Sequence, residues 1–264
     1  METGLKSEGV CMFCEKVYTK SGINRHLQKH LESEMLTGKS GASYLLKIEI
    51  DSSWGKAPYF LSIWMDGEAK MSNLDNFLRQ IWLECCGHMS SFTDPKKRNR
   101  GGMGFDFFET QDLLEKGKMK QYEILMEESN GEIPMSRKAK KVFSKGLKLK
   151  YQYDFGSTTE LEVVVVAEYK MKARKNIVLL SRNEPLCIIC SACGKKNATQ
   201  ICGECSYNED AEFCKKCAKE HSKNCEAFKD YTAMAIVNSP RMGVCGYEGG
   251  RIDKERDVLK VENY

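Results

Sequence analysis

The cysteines and histidines of this 264-residue chain include a set near its N-terminus whose types and spacing suit a metal ion. Cys11-Met-Phe-Cys14 is followed after eleven residues by His26-Leu-Gln-Lys-His30. Zinc prefers four nitrogen or sulfur ligands at tetrahedral corners, and histidines one helical turn apart supply two of them from one face. A unit this small buries too little apolar surface to fold alone, and metal binding would stabilise it. The spacing therefore predicts a zinc site at these four residues.

A second stretch carries eight more candidate ligands, arranged in pairs. They are Cys190, Cys193, Cys202, Cys205, Cys214, Cys217, His221 and Cys225. Eight ligands suit two zinc ions with every coordination position filled by protein, which is typical of structural rather than catalytic zinc. An iron–sulfur cluster, or one zinc ion with spare thiols, remains an alternative, and Cys187 competes as a partner of Cys190. Together the two stretches predict about three zinc ions per chain.

Both patterns resemble known zinc modules. Residues 9–32 resemble the two-Cys/two-His zinc finger family, with one residue fewer than usual between the second cysteine and the first histidine. Residues 187–226 resemble cross-brace modules of the B-box, ZZ and MYND kind, which interleave their ligands. The resemblance implies two sets of four, namely Cys190, Cys193, Cys214 and Cys217 for one ion, and Cys202, Cys205, His221 and Cys225 for the other.

The finger resemblance also implies where nucleic acid would bind. In that family, base contacts come from side chains near the helix start and just before the first histidine, positions that correspond here to Thr19, Gly22 and Arg25. Only Arg25 is a strong base reader, suited to guanine, and Lys29 is placed to contact a phosphate. One finger covers about three base pairs. DNA or RNA contact through Arg25 and Lys29 is therefore a hypothesis, with protein contact or a purely structural role as alternatives.

The region between the zinc patterns, residues 43–183, is predicted to be an α+β domain. Alternating apolar residues predict strands at 44–50, 59–64, 147–153, 160–169 and 177–180. An apolar stripe predicts a helix over 74–85, with a capping box formed by Ser72 and Asp75, and a shorter helix is expected over 136–144. Because strands outnumber helices and hairpins outnumber crossovers, the sheet should be mainly antiparallel. Residues 33–42 are expected to form a polar linker, and residues 227–264 a tail with a loose charged end.

Residues 44–182 carry a further resemblance, to the plasmid pRiA open-reading-frame-three-like family. Beside the opening strand and the amphipathic helix, it rests on His88-Met-Ser-Ser-Phe92 and Tyr151-Gln-Tyr-Asp-Phe-Gly156. The family commonly has leucine where Met89 stands, and an acidic, Trp and His continuation where this chain has Ser157-Thr-Thr-Glu-Leu161. The resemblance implies a fold rather than an activity, and it implies that any polar site formed by those missing residues is lost here.

An enzyme with its site near His88 and Asp154 is the alternative to a binding protein. His88 is the only histidine outside zinc spacing, but a lone histidine at a helix end is more often a structural hydrogen-bonding residue. Asp154 is expected to bond nearby backbone N–H groups in a turn. Cys85 and Cys86 are expected to be buried thiols, and Cys245 lies in a loop with no assigned role. The basic, glycine-rich loop at 96–104 matches neither phosphate-binding loop pattern.

Composition excludes several other classes of protein. Charged residues make up 30% and hydrophobic residues 41%, with a net charge of +4. The longest apolar run, residues 163–167, is far shorter than the ~20 residues of a membrane span, and no secretory signal is visible. We therefore expect a cytoplasmic zinc-binding modular protein that binds nucleic acid or protein and no membrane. A third possibility is that the zinc modules serve only structure or assembly.

Overall fold

The structure is a computed structural model that describes residues 7–50, 58–96, 107–129 and 131–257. Its strands are, in chain order, β1 (Glu8–Val10), β2 (Val17–Thr19), β3 (Ser40–Ile50), β4 (Phe60–Asp66), β5 (Ser90–Thr93), β6 (Lys148–Tyr153), β7 (Thr159–Met171), β8 (Ile177–Arg182), β9 (Gln200–Cys202), β10 (Glu212–Phe213) and β11 (Ala233–Ala235). Its α-helices are α1 (Ile23–Met35), α2 (Met71–Leu78), α3 (Phe107–Glu115), α4 (Met119–Ser129) and α5 (Lys215–His221).

A six-stranded sheet in the order β5-β6-β7-β3-β4-β8 forms the centre of the molecule. Every neighbouring pair in this sheet is antiparallel, so the predicted α+β class with a mainly antiparallel sheet is confirmed. Alternate residues of β7 are buried, because successive side chains of a strand point to opposite faces. By contrast, all seven residues of β4 are buried, which requires cover on both faces of the sheet.

One face of the sheet is covered by α2 and the segment that follows it. The apolar stripe of this helix and of the turn after it packs into the main core, with Leu74 and Leu78 of the helix and Trp82 of the turn fully buried. The helix runs from Met71 to Leu78 and then continues into a π-helical turn, Arg79–Leu83. The predicted helix over 136–144 is reduced to a 3₁₀ turn, Ala139–Lys141.

The predicted capping box of α2 is wrong, because the helix begins one residue before Ser72. The side chain of Asn73 accepts the backbone N–H of Lys70 at 2.8 Å instead. Asp75 is nearly buried and accepts hydrogen bonds from Tyr151 and Arg79. It therefore links the helix to the sheet rather than capping its first turn.

The other face of β4 is covered by the N-terminal finger. Ile23, Leu27 and Leu31 of α1 lie fully buried in one apolar cluster with Phe60 and Trp64 of β4. The finger hairpin, β1 paired with β2, also contacts the sheet edge, where the N–H of Met12 donates to the Leu180 carbonyl at 2.9 Å. Only residues 36–39 separate α1 from β3, so the finger packs against the central sheet instead of hanging from a ten-residue linker.

The C-terminal region forms a small three-stranded sheet and then returns to the central domain. Strand β9 lies between β10 and β11, and α5 follows β10. Beyond β11, the side-chain amide of Asn238 accepts a hydrogen bond from the Asn183 side chain and donates one to the Asn183 carbonyl. Asp257 forms a buried ion pair with Arg182. The expectation that the last fifteen residues are loose is therefore wrong for residues 250–257, which pack against the domain; residues 258–264 lie outside the described residues.

Two other features complete the fold. Within the described residues, no helix has both the length and the apolar character needed to cross a membrane. Apart from Lys96, the predicted basic loop at 96–104 lies outside the described residues.

Candidate metal centres

The N-terminal group brings its four predicted ligands together. The ligand atoms of Cys11, Cys14, His26 and His30 all lie within 4.8 Å of one another. Cys14 Sγ is 3.2 Å from His26 Nε2, which is 3.1 Å from His30 Nε2. The two cysteines sit in a tight turn that ends at Glu15, whose φ is 60° and whose N–H donates to the Cys11 carbonyl at 2.8 Å. The group could hold one metal ion.

Both histidine rings of this group are held in place by stacking, and His26 is held in the neutral form that binds a metal. Tyr18 stacks on His26 at 4.0 Å between ring centroids, and Phe13 stacks on His30 at 4.8 Å. Burial lowers the pKa of His26, and the neighbouring His30 and Lys29 lower it further. Only a neutral imidazole binds a metal, so both the ring positions and the chemistry of this donor set fit the ion.

The C-terminal region forms two groups of four, with the interleaved arrangement that the cross-brace resemblance implies. In each, the ligand atoms lie within 4.8 Å of one another. The groups are Cys190, Cys193, Cys214 and Cys217, and Cys202, Cys205, His221 and Cys225. Cys205 Sγ is 3.6 Å from His221 Nε2 and 3.9 Å from Cys225 Sγ. Cys187 is exposed and belongs to no group among the described residues.

Local turns and the helix α5 place these ligands. Gly194 has φ of 63°, and its N–H donates to the Cys190 carbonyl at 2.9 Å, the same turn that closes the finger pair. Cys214 is the N-cap of α5, which ends at His221. Cys217 and His221 both lie on α5, and the helix contributes one of them to each group.

The sulfur atoms in these groups differ in their readiness to lose a proton. Burial opposes the charge of Cys202, but the Cys205 N–H and His221 outweigh it and lower the pKa of that thiol to about 6. Burial and the neighbouring thiols of Cys202 and Cys225 raise the pKa of Cys205 to about 12. Thiolates crowded together repel one another, and a bound cation would remove that penalty.

A fourth group was not predicted. Cys85, Cys86, His88 and Cys245 bring four ligand atoms within 4.8 Å of one another. The expectation that Cys85 and Cys86 are both buried thiols is wrong, since Cys86 is exposed and Cys85 is half-buried. The only signal in the sequence is the number of ligands left over. Once the predicted ligands are assigned, the remaining histidine is His88, and the remaining cysteines are these three and Cys187.

His88 and Asp154 do lie close together, as the enzyme alternative requires. His88 Nε2 is 3.5 Å from Asp154 Oδ2. Asp154, however, is buried, accepts the N–H of Gly156 at 3.0 Å and pairs with Arg241. The Arg241 guanidinium lowers the pKa of Asp154 to about 2. The Asp154 carboxylate therefore stabilises a turn and pairs with the buried Arg241 guanidinium, in line with its expected structural role.

The two residues proposed to contact nucleic acid lie on the finger helix. Arg25 and Lys29 are exposed and one turn apart on α1. Neither takes part in an ion pair within the described part of the chain. They present two unpaired positive charges to solvent.

Comparison with known proteins adds little. Neither a protein-family model nor a curated protein matches this chain. Among solved structures, it is similar to the protein of unknown function MM3350 from Methanosarcina mazei Go1, at 16% identity and a TM-score of 0.34. That match covers 54% of this chain and 68% of the other. A likeness of this degree supports no conclusion about either fold or function.

Proposed function

We propose that this chain is a zinc-binding modular protein whose finger and C-terminal module are recognition surfaces for nucleic acid or for another protein. The observation that carries this proposal is the geometry of the three predicted ligand sets, each of which offers four Cys or His atoms within 4.8 Å. Four protein ligands leave no position for a reacting water, which is the arrangement of structural zinc. Such an ion holds the shape of a surface and performs no chemistry.

The ligand types favour zinc over other metals. One group has two cysteines and two histidines, another has three cysteines and one histidine, and a third has four cysteines. All three sets are typical of structural zinc sites. Iron–sulfur clusters are usually held by cysteine alone, so the histidines in two of the groups argue against them.

We also propose that the central region belongs to the plasmid pRiA open-reading-frame-three-like family. Support comes from the two motifs that carry the resemblance, which lie side by side in the structure. β5 pairs with β6, with Ser90 opposite Tyr153 and Phe92 opposite Tyr151. Two short motifs about sixty residues apart in sequence therefore form one structural unit.

The metal content tests the first part of the proposal. We expect metal analysis of the pure, reduced chain to give at least three zinc ions, and Cys11→Ser to lose one of them. Cys187→Ser is the matched control, because Cys187 lies in none of the groups, and it should retain all the zinc of the unmodified chain. A value near zero in undamaged protein would contradict the proposal.

The nucleic-acid role is tested by mobility shifts with mixed DNA and RNA. Because Arg25 and Lys29 are exposed and unpaired, we expect salt-sensitive binding that weakens when both become Ala. The slope of log K against log salt should become shallower by about 0.9 for each phosphate of duplex DNA that the variant no longer neutralises. The control is Lys118→Ala with Lys120→Ala, which removes two exposed lysines outside the finger.

The same assay separates the two classes of partner. An equal weakening in the control pair would show that general charge, rather than the finger helix, binds the nucleic acid. No retention at low salt would rule out nucleic acid and leave a protein partner as the proposed role. A pull-down from native cells, repeated after nuclease treatment, would then show whether partners persist.

A further inference from the structure

We propose that Cys85, Cys86, His88 and Cys245 bind a fourth divalent metal ion, of the thiolate-binding class to which zinc belongs. This ion would fasten the C-terminal segment, residues 236–257, to the turn that follows α2. The inference goes beyond the recognition role proposed above, because it concerns residues that no zinc-module pattern includes.

The distances between the four ligand atoms suit a single ion. Cys86 Sγ lies 3.0 Å from His88 Nε2, 3.5 Å from Cys245 Sγ and 3.7 Å from Cys85 Sγ. His88 Nε2 is 3.4 Å from Cys245 Sγ. A tetrahedral zinc ion with bonds of about 2.3 Å to sulfur and 2.0–2.1 Å to nitrogen separates its ligand atoms by roughly 3.5–3.8 Å. The group needs only small adjustments to reach that geometry.

The ligand inventory of the whole chain points the same way. With this group included, all four histidines and twelve of the thirteen cysteines lie in sets of four. Cys187 alone is left over. The fourth set has three thiols and one imidazole, the same composition as the group of Cys202, Cys205, His221 and Cys225.

The turn that carries three of the ligands is held in place by its own hydrogen bonds. Arg79 donates to Glu84 Oε2 at 2.8 Å and to the His88 carbonyl at 2.6 Å. Glu84 Oε1 accepts the N–H of Gly87 at 2.6 Å, and Gly87 has φ of 81°. Because the turn is fixed in this way, its ligands are already in position before the ion binds. This reduces the conformational entropy that is lost on binding.

The fourth ligand, Cys245, lies on the C-terminal segment, which has its own contacts with the central domain. Ser239 donates to the Trp82 carbonyl at 2.6 Å, and Arg241 is fully buried and paired with Asp154. A guanidinium nitrogen of Arg241 also lies 3.8 Å from Cys85 Sγ. Arg241 therefore links the two parts of the proposed site, since it pairs with Asp154 and donates to the Cys85 thiol.

The geometry does not match a catalytic Cys–His–Asp relay. In such a relay one ring nitrogen of the histidine faces the nucleophile and the other faces the carboxylate. Here a single nitrogen, His88 Nε2, faces Cys86, Cys245 and the Asp154 carboxylate, the last at 3.5 Å. Two thiol sulfurs and a carboxylate oxygen therefore lie close to the same ring nitrogen. A cluster of potential metal-ligand atoms like this is expected around a shared cation.

A disulfide bond would account for only part of this group. Cys86 and Cys245 are close enough for an oxidant to join them, but that bond would leave Cys85 and His88 without a role. Both Cys86 and Cys245 are exposed, so a chelator can reach an ion bound there. We therefore expect this site to exchange its metal more readily than the more buried groups.

The test compares Cys245→Ser with the unmodified full-length chain, both purified under reducing conditions and loaded with zinc. The variant should hold one ion fewer, with an unchanged far-ultraviolet spectrum. With Co²⁺ in place of zinc, loss of the site removes three of the twelve sulfur ligands, a quarter of the thiolate charge-transfer absorption. Amide hydrogen exchange over residues 241–250 should rise in the same variant.

Two controls separate this inference from the proposed function. Cys187→Ser should match the unmodified chain in every readout, whereas Cys11→Ser should lose one ion without a rise in exchange that is confined to residues 241–250. Three ions in both the unmodified chain and Cys245→Ser would overturn the fourth site and leave the proposed function standing. No bound zinc in any of the proteins would overturn both. If Cys245→Ser misfolds, Cys86→Ser at the exposed neighbouring ligand provides the same comparison.

Discussion

At the scale of single residues, the pair of Arg241 and Asp154 connects the C-terminal segment to the central sheet. Arg241 is fully buried, and it also donates to Thr159 Oγ1 at 3.2 Å. Asp154 has φ of 64°, a conformation that asparagine and aspartate tolerate better than most residues. Because both charges are withdrawn from water, removal of either partner leaves the other uncompensated.

We expect Arg241→Met to lower the free energy of unfolding by about 3–5 kcal/mol, the usual cost of breaking a buried ion pair. Asp154→Asn keeps the backbone conformation and should also destabilise the chain, because Arg241 then stays buried without its counter-ion. The double variant should recover part of the loss. Urea denaturation of the four proteins measures the cycle, and simple additivity of the two losses would contradict a direct pairing.

Sequence reasoning at this scale worked where the chemistry is local. Pairs such as Cys11 and Cys14 share a turn, so their spacing alone indicates a metal site. The fourth group escaped because His88 and Cys245 are 157 residues apart, and no spacing rule joins ligands on different elements. Likewise, the turn role of Asp154 was predictable from its neighbours, but its buried partner Arg241 was not.

At the scale of elements, the finger is fastened to the sheet by close backbone contact as well as by α1. Gly9 of β1 forms an isolated bridge with Asn183. A Cβ atom added at Gly9 would lie 2.6 Å from the Arg182 carbonyl oxygen and 2.7 Å from the Phe60 ring. The absence of a side chain at this position is what lets the hairpin reach the sheet edge.

We expect Gly9→Ala to destabilise the chain by about 1–3 kcal/mol, as overpacking of a tight contact does, while leaving the zinc content unchanged. Gly22→Ala is the matched control in the same finger, since its nearest neighbour would be the Thr19 hydroxyl at 3.3 Å. Equal melting temperatures for the two variants would argue that the hairpin does not dock on the sheet in solution.

The elements themselves were largely predictable, but their mutual packing was not. Alternation in β6 and β7 indicated their strand character directly, because one face is buried and the other carries pairs such as Lys150 with Glu160. The finger was predicted as an independent unit because its pattern is complete in itself. The apolar positions of α1 at Ile23, Leu27 and Leu31 also serve a second surface, which spacing within the finger does not reveal.

At the scale of the whole molecule, the finger and the central sheet share one apolar cluster. The three buried residues of α1 lie in the same apolar cluster as Phe60 and Trp64 of the central sheet. Loss of the finger ion would release α1 and expose that face of β4. Metal binding in such units is coupled directly to folding.

We therefore expect a strong chelator to lower the melting temperature of the central sheet and not only to unfold the two ends. Tryptophan fluorescence reports this transition, because Trp64 and Trp82 are both buried in the domain. Cys11→Ser should reproduce most of the shift, and Cys187→Ser none of it. An unchanged tryptophan transition after complete zinc removal would show that the finger and sheet are energetically separate.

The hydrogen bonds between Asn183 and Asn238 have a consequence for how the protein would engage two partners, or two parts of one partner. They close the C-terminal zinc module at its base, so the module is attached to the sheet by both of its ends. The finger is fixed to the same sheet. A ligand that binds both the finger and the C-terminal module would meet two surfaces at a fixed distance from each other. The protein would then select partners by the distance between their two binding points.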